Sequence, residues 1–154
     1  MRISAKVDYA LRGLTELSAL EAEHGRAVTR DQMASSQDIP IAFLENILLE
    51  LKRGGIVRSV RGQHGGFRLA RPADQISVAD VIRTLEGPLA SVRGLRPEEL
   101  EYGGAARSLP TVWVALRFRL REVLEGVTIA DLTSGELPLD IRELAAPPEA
   151  WQPR

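Results

Sequence analysis

The sequence predicts a mainly α-helical fold with one small β-hairpin and a long helix set beyond it. Three observations carry this. Apolar residues recur at helical spacing from residue 3 to residue 53, two β-prone runs flank a Gly-rich loop at 62–66, and an apolar seam of heptad type runs from Leu109 to Val127. The length of 154 residues fits one compact domain with a small appendage.

Taken in order, Ile3, Val7, Leu11, Leu14, Leu17 and Leu20 mark a first helix that ends near Gly25. Thr29-Arg30-Asp31-Gln32 is a capping box, in which the Thr hydroxyl takes the Gln32 N–H and the amide reaches back. It opens a short second helix that stops before Asp38. Pro40 suits the first turn of a third helix, because its missing N–H has no intrahelical acceptor there. That helix runs to Arg53 and is stopped by Gly54-Gly55. Its inward stripe is Ile41, Leu44, Leu48 and Leu51 with Ile47 beside it, and its outer face shows Ala42, Glu45, Asn46, Leu49 and Arg53. Ile56–Arg61 and Phe67–Ala70 read as two strands around Gly62-Gln63-His64-Gly65-Gly66, a hairpin signal. Ser77 caps a fourth helix closed by Gly87-Pro88, and residues 88–107 read as a loop with one helical turn. Leu109, Trp113, Leu116, Leu120, Val123 and Val127 then follow at spacings of 4, 3, 4, 3 and 4, the seam that pairs one helix with another. The same residues could form ordinary intrachain core. Thr128 caps a last short helix ending at Gly135, and the Pro-rich tail beyond Glu143 is expected to fray.

Composition removes several function classes. There is no cysteine, so disulfides, thiolate metal sites and Cys nucleophiles are excluded. His24 and His64 are the two histidines, too few for a conventional transition-metal site, and no nucleophile–base pair or phosphate loop is present. No metal, no cofactor and no enzymatic activity are therefore expected. The start Met1–Lys6 has no apolar stretch behind it, which predicts a soluble, unexported, cytoplasmic protein with no membrane partner. The net charge of −1 hides an asymmetry: residues 1–72 carry 11 basic and 8 acidic side chains, residues 73–154 carry 9 and 13. Lys52, Arg53, Arg58, Arg61, Arg68 and Arg71 fall within twenty residues that hold no Asp or Glu. A charged run is often only a solvated face, but a single-sign field of this kind attracts polyanions.

Three helices followed by a basic hairpin is the order of a winged helix-turn-helix, with the third helix set against a DNA major groove and the hairpin, the wing, along the backbone or in the minor groove. The residues themselves go further. Ser59-Val60-Arg61-Gly62 followed by Gly65-Gly66-Phe67-Arg68-Leu69-Ala70 resembles the wing of the Rrf-two family of bacterial regulators, the IscR, NsrR and CymR type. The resemblance continues through Met1-Arg2-Ile3-Ser4 with Lys6, Tyr9, Ala10 and Leu11, through Phe43-Leu44-Glu45-Asn46 and Leu51–Val57, and through Val78, Val81-Ile82 and Glu86. It spans residues 1–87, with the long helix in the expected place.

The resemblance implies a homodimeric transcription regulator, repressor or activator, in four parts: a winged helix-turn-helix over 1–87, a loop over 88–107, a dimerisation helix and short helix over 108–135, and a tail over 136–154. It assigns base reading to Ala42, Glu45 and Asn46, and a minor-groove contact to Arg61. Backbone contacts are expected from Lys6, Thr29, Arg30, Phe43, Lys52, Arg53, Arg58, Gln63, His64, Gly65, Gly66 and Arg68, the glycines permitting the turn and a close approach to DNA. Many members hold an iron–sulfur cluster through three Cys in the 88–108 loop, which here has none. Some relatives add ligands from the first helix, where this chain offers Asp8 and, one turn on, the non-ligating Arg12. The implied partners are double-stranded DNA, a second copy of the chain, and a small-molecule or protein effector. The competing reading is a winged-helix module whose main role is to bind such a partner, with residues 88–108 and Tyr102 as its surface.

Overall fold

A computed structural model describes residues 2–153. Helices α1 (Ala5–His24), α2 (Arg30–Gln37) and α3 (Ile41–Arg53) precede an antiparallel hairpin, β1 (Val57–Val60) and β2 (Gly66–Leu69). Helix α4 (Val78–Glu86), the long α5 (Leu109–Gly126), α6 (Ile129–Ser134) and α7 (Leu139–Ala145) follow, with 3₁₀ turns at Ala73–Gln75, Pro97–Glu99, Gly104–Ala106 and Pro148–Trp151.

The local chemistry explains the boundaries. Ser4 caps α1 by accepting the Val7 N–H at 3.2 Å, and Gly25 ends the helix in the left-handed conformation. The capping box at Thr29 forms with both of its bonds, and Ser77 and Thr128 start α4 and α6 the same way. Asp38, at φ 52°, closes α2 and sets the tight turn into α3, for which Pro40 is the cap residue rather than part of the first turn.

One apolar core joins α1 (Val7, Ala10, Leu14, Leu17), α2 (Met33, Ala34), α3 (Leu44, Ile47, Leu48, Leu51), α4 (Val81, Leu85) and Ile129 of α6. Two residues of the expected stripes stay outside it: Ile3 and Ile41 are exposed, because each precedes or begins its helix at the edge of the core. The chain after α5 returns to this core. Val78 N–H donates to the Val127 carbonyl and Ile129 N–H to the Ile76 carbonyl, both at 2.9 Å. Val127, read with the seam, therefore ends the helix and is buried against its own chain, not offered to a partner.

α5 rests on α4 and on the Pro97–Glu99 turn, yet none of its residues is fully buried. Val112, Leu116 and Val123 are exposed, while Leu109, Trp113 and Leu120 are half-buried. The tail is more ordered than its prolines suggest. Pro138 caps α7, and the Trp151 indole N–H donates to the Ala145 carbonyl at 2.6 Å, folding the last turn back on the helix.

Candidate nucleic-acid interface

The outer face of α3 is fully presented: Ala42, Phe43, Glu45, Asn46, Leu49, Lys52 and Arg53 are all exposed. They share a helix whose other side is nailed into the core by Leu44, Ile47, Leu48 and Leu51, so their positions are rigid. Phe43 stands out at 62% exposure with its ring tilted against Tyr9 at 6.3 Å, and the Arg12 guanidinium lies over the other aromatic ring, Tyr9, at 5.6 Å. Glu45 pairs with Arg30 at the start of α2 (2.7 Å), linking a base-reading candidate to a backbone candidate. The Asn46 amide donates to the Ala42 carbonyl of its own helix at 3.2 Å, a bond between exposed groups.

The wing is held by more than its own ladder. Val28 bridges Phe67 through two backbone bonds of 2.9 and 2.8 Å, so the segment before α2 is tied to β2 at one residue pair. This explains Gly66. A Cβ there would lie 2.4 Å from the Val28 carbonyl oxygen. The close approach expected toward DNA is an approach to the chain's own backbone. Gly65 serves the turn in the same way, its N–H bonding the Gly62 carbonyl at 2.9 Å and a Cβ being too close to Val60 and Gly62.

The cations divide into two sets. Lys6 is bound to Glu50 at 2.6 Å and to the Leu85 carbonyl, tying α1 to α3 and α4. Arg68 is held by Glu21 at 3.4 Å and by the Gly25 carbonyl. Arg71 pairs with Asp80 at 3.1 Å. Lys6 and Arg68, expected on phosphates, thus have internal partners. The register explains the second case: Arg68 lies directly across from Arg58, and two like charges so placed repel unless an acid takes one. Lys52, Arg53, Arg58 and Arg61 are exposed and make no ion pair among the described residues. They remain available to a polyanion. A recess between the wing tip and the start of α2, lined by Arg26, Thr29, Gln32, Gln63, His64 and Gly65, adds Arg26, which sequence reading did not single out. Arg26 lies just before α2 and outside the basic run, so only the folding of the wing against that segment reveals it.

Among the described residues no three His, Asp or Glu side chains gather where a metal could sit, and the chain has no Cys. Asp8, the first-helix carboxylate, is paired with Arg12 at 3.3 Å. The donors present do not fit a thiolate-ligated iron–sulfur cluster. No helix among the described residues is long and apolar enough to cross a membrane.

Comparison with known proteins shows the family and the fold. Residues 3–135 match the model of the Rrf2 family, described as an iron-dependent transcriptional regulator. A protein of Mycobacterium tuberculosis named as an HTH-type transcriptional regulator is 46% identical over 145 residues, covering 94% of this chain and 89% of the relative. CymR, an HTH-type transcriptional regulator of Bacillus subtilis, is 36% identical over 135 residues, covering 87% and 91%. Among solved structures, that of CymR, the global cysteine regulator of B. subtilis, superposes with a TM-score of 0.72 at 31% identity, covering 88% of this chain and 98% of that one. The IscR of T. potens gives 0.70 at 27% identity, covering 100% and 93%.

Proposed function

Since the chain belongs to the Rrf2 family of winged-helix transcriptional regulators, which are not enzymes, we propose that it is a homodimer that reads a pseudo-palindromic operator without an iron–sulfur cluster. The observation that carries this is the α3 face: small and polar groups at Ala42, Glu45 and Asn46 stand on a rigid helix beside four cations with no internal partner. In this reading Glu45 leaves Arg30 to accept from a cytosine amine, Asn46 turns to an adenine, and Arg61 enters the minor groove. Lys52, Arg53 and Arg58 hold phosphates together with Arg26, Thr29 and Arg30 at the start of α2. Phe43, Gln63 and His64 flank them on exposed positions.

The exposed Val112, Leu116 and Val123 of α5 support the dimer, since a monomer gains nothing by leaving them in water. The two copies would then present their α3 helices to half-sites separated by whole helical turns. The cytoplasm is the compartment this function requires. With no fitting cluster donors, regulation comes through a small molecule, a partner protein or the level of the chain itself.

The test is selection of bound fragments from genomic DNA by the purified chain, followed by titration of the recovered site over a range of salt. Specific binding with log K falling by several units of slope against log salt is expected. Binding that shows no preference for any fragment overturns the reading. In that case partner capture that persists without the wing arginines would support the partner-binding alternative.

A further inference from the structure

Four guanidinium groups converge on a cleft far from the α3 face in sequence. Arg83 of α4, Arg96 of the following segment, and Arg117 and Arg121 of α5 line it together with Glu98 and the Gly87-Pro88-Leu89 wall. Its volume is about 430 Å³, the size of a small-ligand site. Glu125 takes bonds from Arg83 and from Arg121 (3.0 Å), and Glu98 takes one from Arg117 at 2.5 Å. Asp80 approaches Arg83 only at 3.9 Å and is bonded to Arg71 instead. Arg96 makes no ion pair among the described residues. Of the lining side chains four are guanidiniums and one, Glu98, is a carboxylate, while Glu125, Asp80 at 3.9 Å from Arg83, and Glu99, which accepts the Arg96 backbone N–H at 3.0 Å, stand around them. The Arg83 and then the Arg121 hydrogen bond hold Glu125 below the usual carboxylate range, and a backbone N–H and then Arg117 do so for Glu98. Guanidinium forks match carboxylate and phosphate oxygens in pairs.

We propose that this cleft binds a small dianion, a dicarboxylate or a phosphate compound, and that the bound anion fixes α4 relative to α5. α4 belongs to the winged-helix core through Val81 and Leu85, whereas α5 carries the exposed apolar seam, so a ligand held by both sets the spacing of the two α3 helices. The site stands on its own geometry; its regulatory effect rests on the operator-binding reading above.

Isothermal titration at pH 8 with succinate and with inorganic phosphate, at matched ionic strength, tests the site. One of the two is expected to bind the intact chain, and which one binds distinguishes the dicarboxylate from the phosphate. Arg96→Gln, which breaks no internal ion pair, should weaken binding about tenfold with unfolding temperature unchanged. Arg61→Ala on the wing should leave it unaltered. Absence of binding by either anion, equal affinity in Arg96→Gln, or loss in Arg61→Ala overturns the assignment. Operator affinity should shift on adding the anion in the intact chain and not in Arg96→Gln. An anion that binds without moving operator affinity overturns the coupling, and one that binds a chain with no operator preference overturns only the operator reading.

Discussion

Arg61 and Arg68 lie seven residues apart on one hairpin and do different work. Arg61 is exposed and has no internal partner, so Arg61→Ala should weaken operator binding about tenfold and lower the salt slope by about one, read by fluorescence anisotropy at several salt concentrations. Arg68 ties β2 to Glu21 and Gly25, so Arg68→Ala should show first as a lower unfolding temperature and only secondarily as weaker binding. Gly66→Ala is expected to be more damaging than either. Its Cβ would press on the Val28 carbonyl, a backbone atom that cannot rotate away, and the loss should be about 1–3 kcal/mol by chemical denaturation. The wing motif marks Gly66 as special in the sequence, but the reason is legible only once Val28 is seen pairing with Phe67.

At the scale of elements, the starts of α2, α4 and α6 were readable because their capping signals are local. The Thr29 box needs only four residues, and Thr29→Ala should cost about 0.5–2 kcal/mol while loosening α2 under α3, as hydrogen exchange of the Met33 and Ala34 amides would report. The packing of α5 on α4 had no such signal. It includes the bond that Arg83 donates to Glu125 from 42 residues earlier. Because Glu125 titrates lower in the folded chain than in the unfolded one, its contribution is complete at neutral pH and disappears as pH falls through the folded value. Glu125→Gln should therefore lower the unfolding temperature at pH 7, and the difference from the unaltered chain should vanish in acid.

For the whole molecule, the proposed homodimer rests on the exposed apolar stripe of α5. Leu116→Arg places a charge in the exposed stripe of α5 without touching the core, and should convert a dimer to a monomer in sedimentation equilibrium and reduce operator affinity by orders of magnitude. A sedimentation profile unchanged by the substitution would remove α5 from the dimer. The seam also shows where pattern reading stops. Leu109 to Val123 lie on α5 as their spacing requires, but Val127 continues the spacing after the helix has ended, is buried, and takes the Val78 N–H on its carbonyl. Periodicity describes a helix face and carries no information about where the chain turns back. Residue chemistry and contacts a few positions apart were enough to read the starts of α2, α4 and α6, the hairpin, the outward side of α3 and the lack of thiolate ligands, whereas α7 had no such local signal. Which cations stay unpaired follows from contacts distant in sequence. Lys6, Arg68 and Arg71 are neutralised by acids 44, 47 and 9 positions away, and such pairs form because the core brings α1, α3, α4 and the wing together.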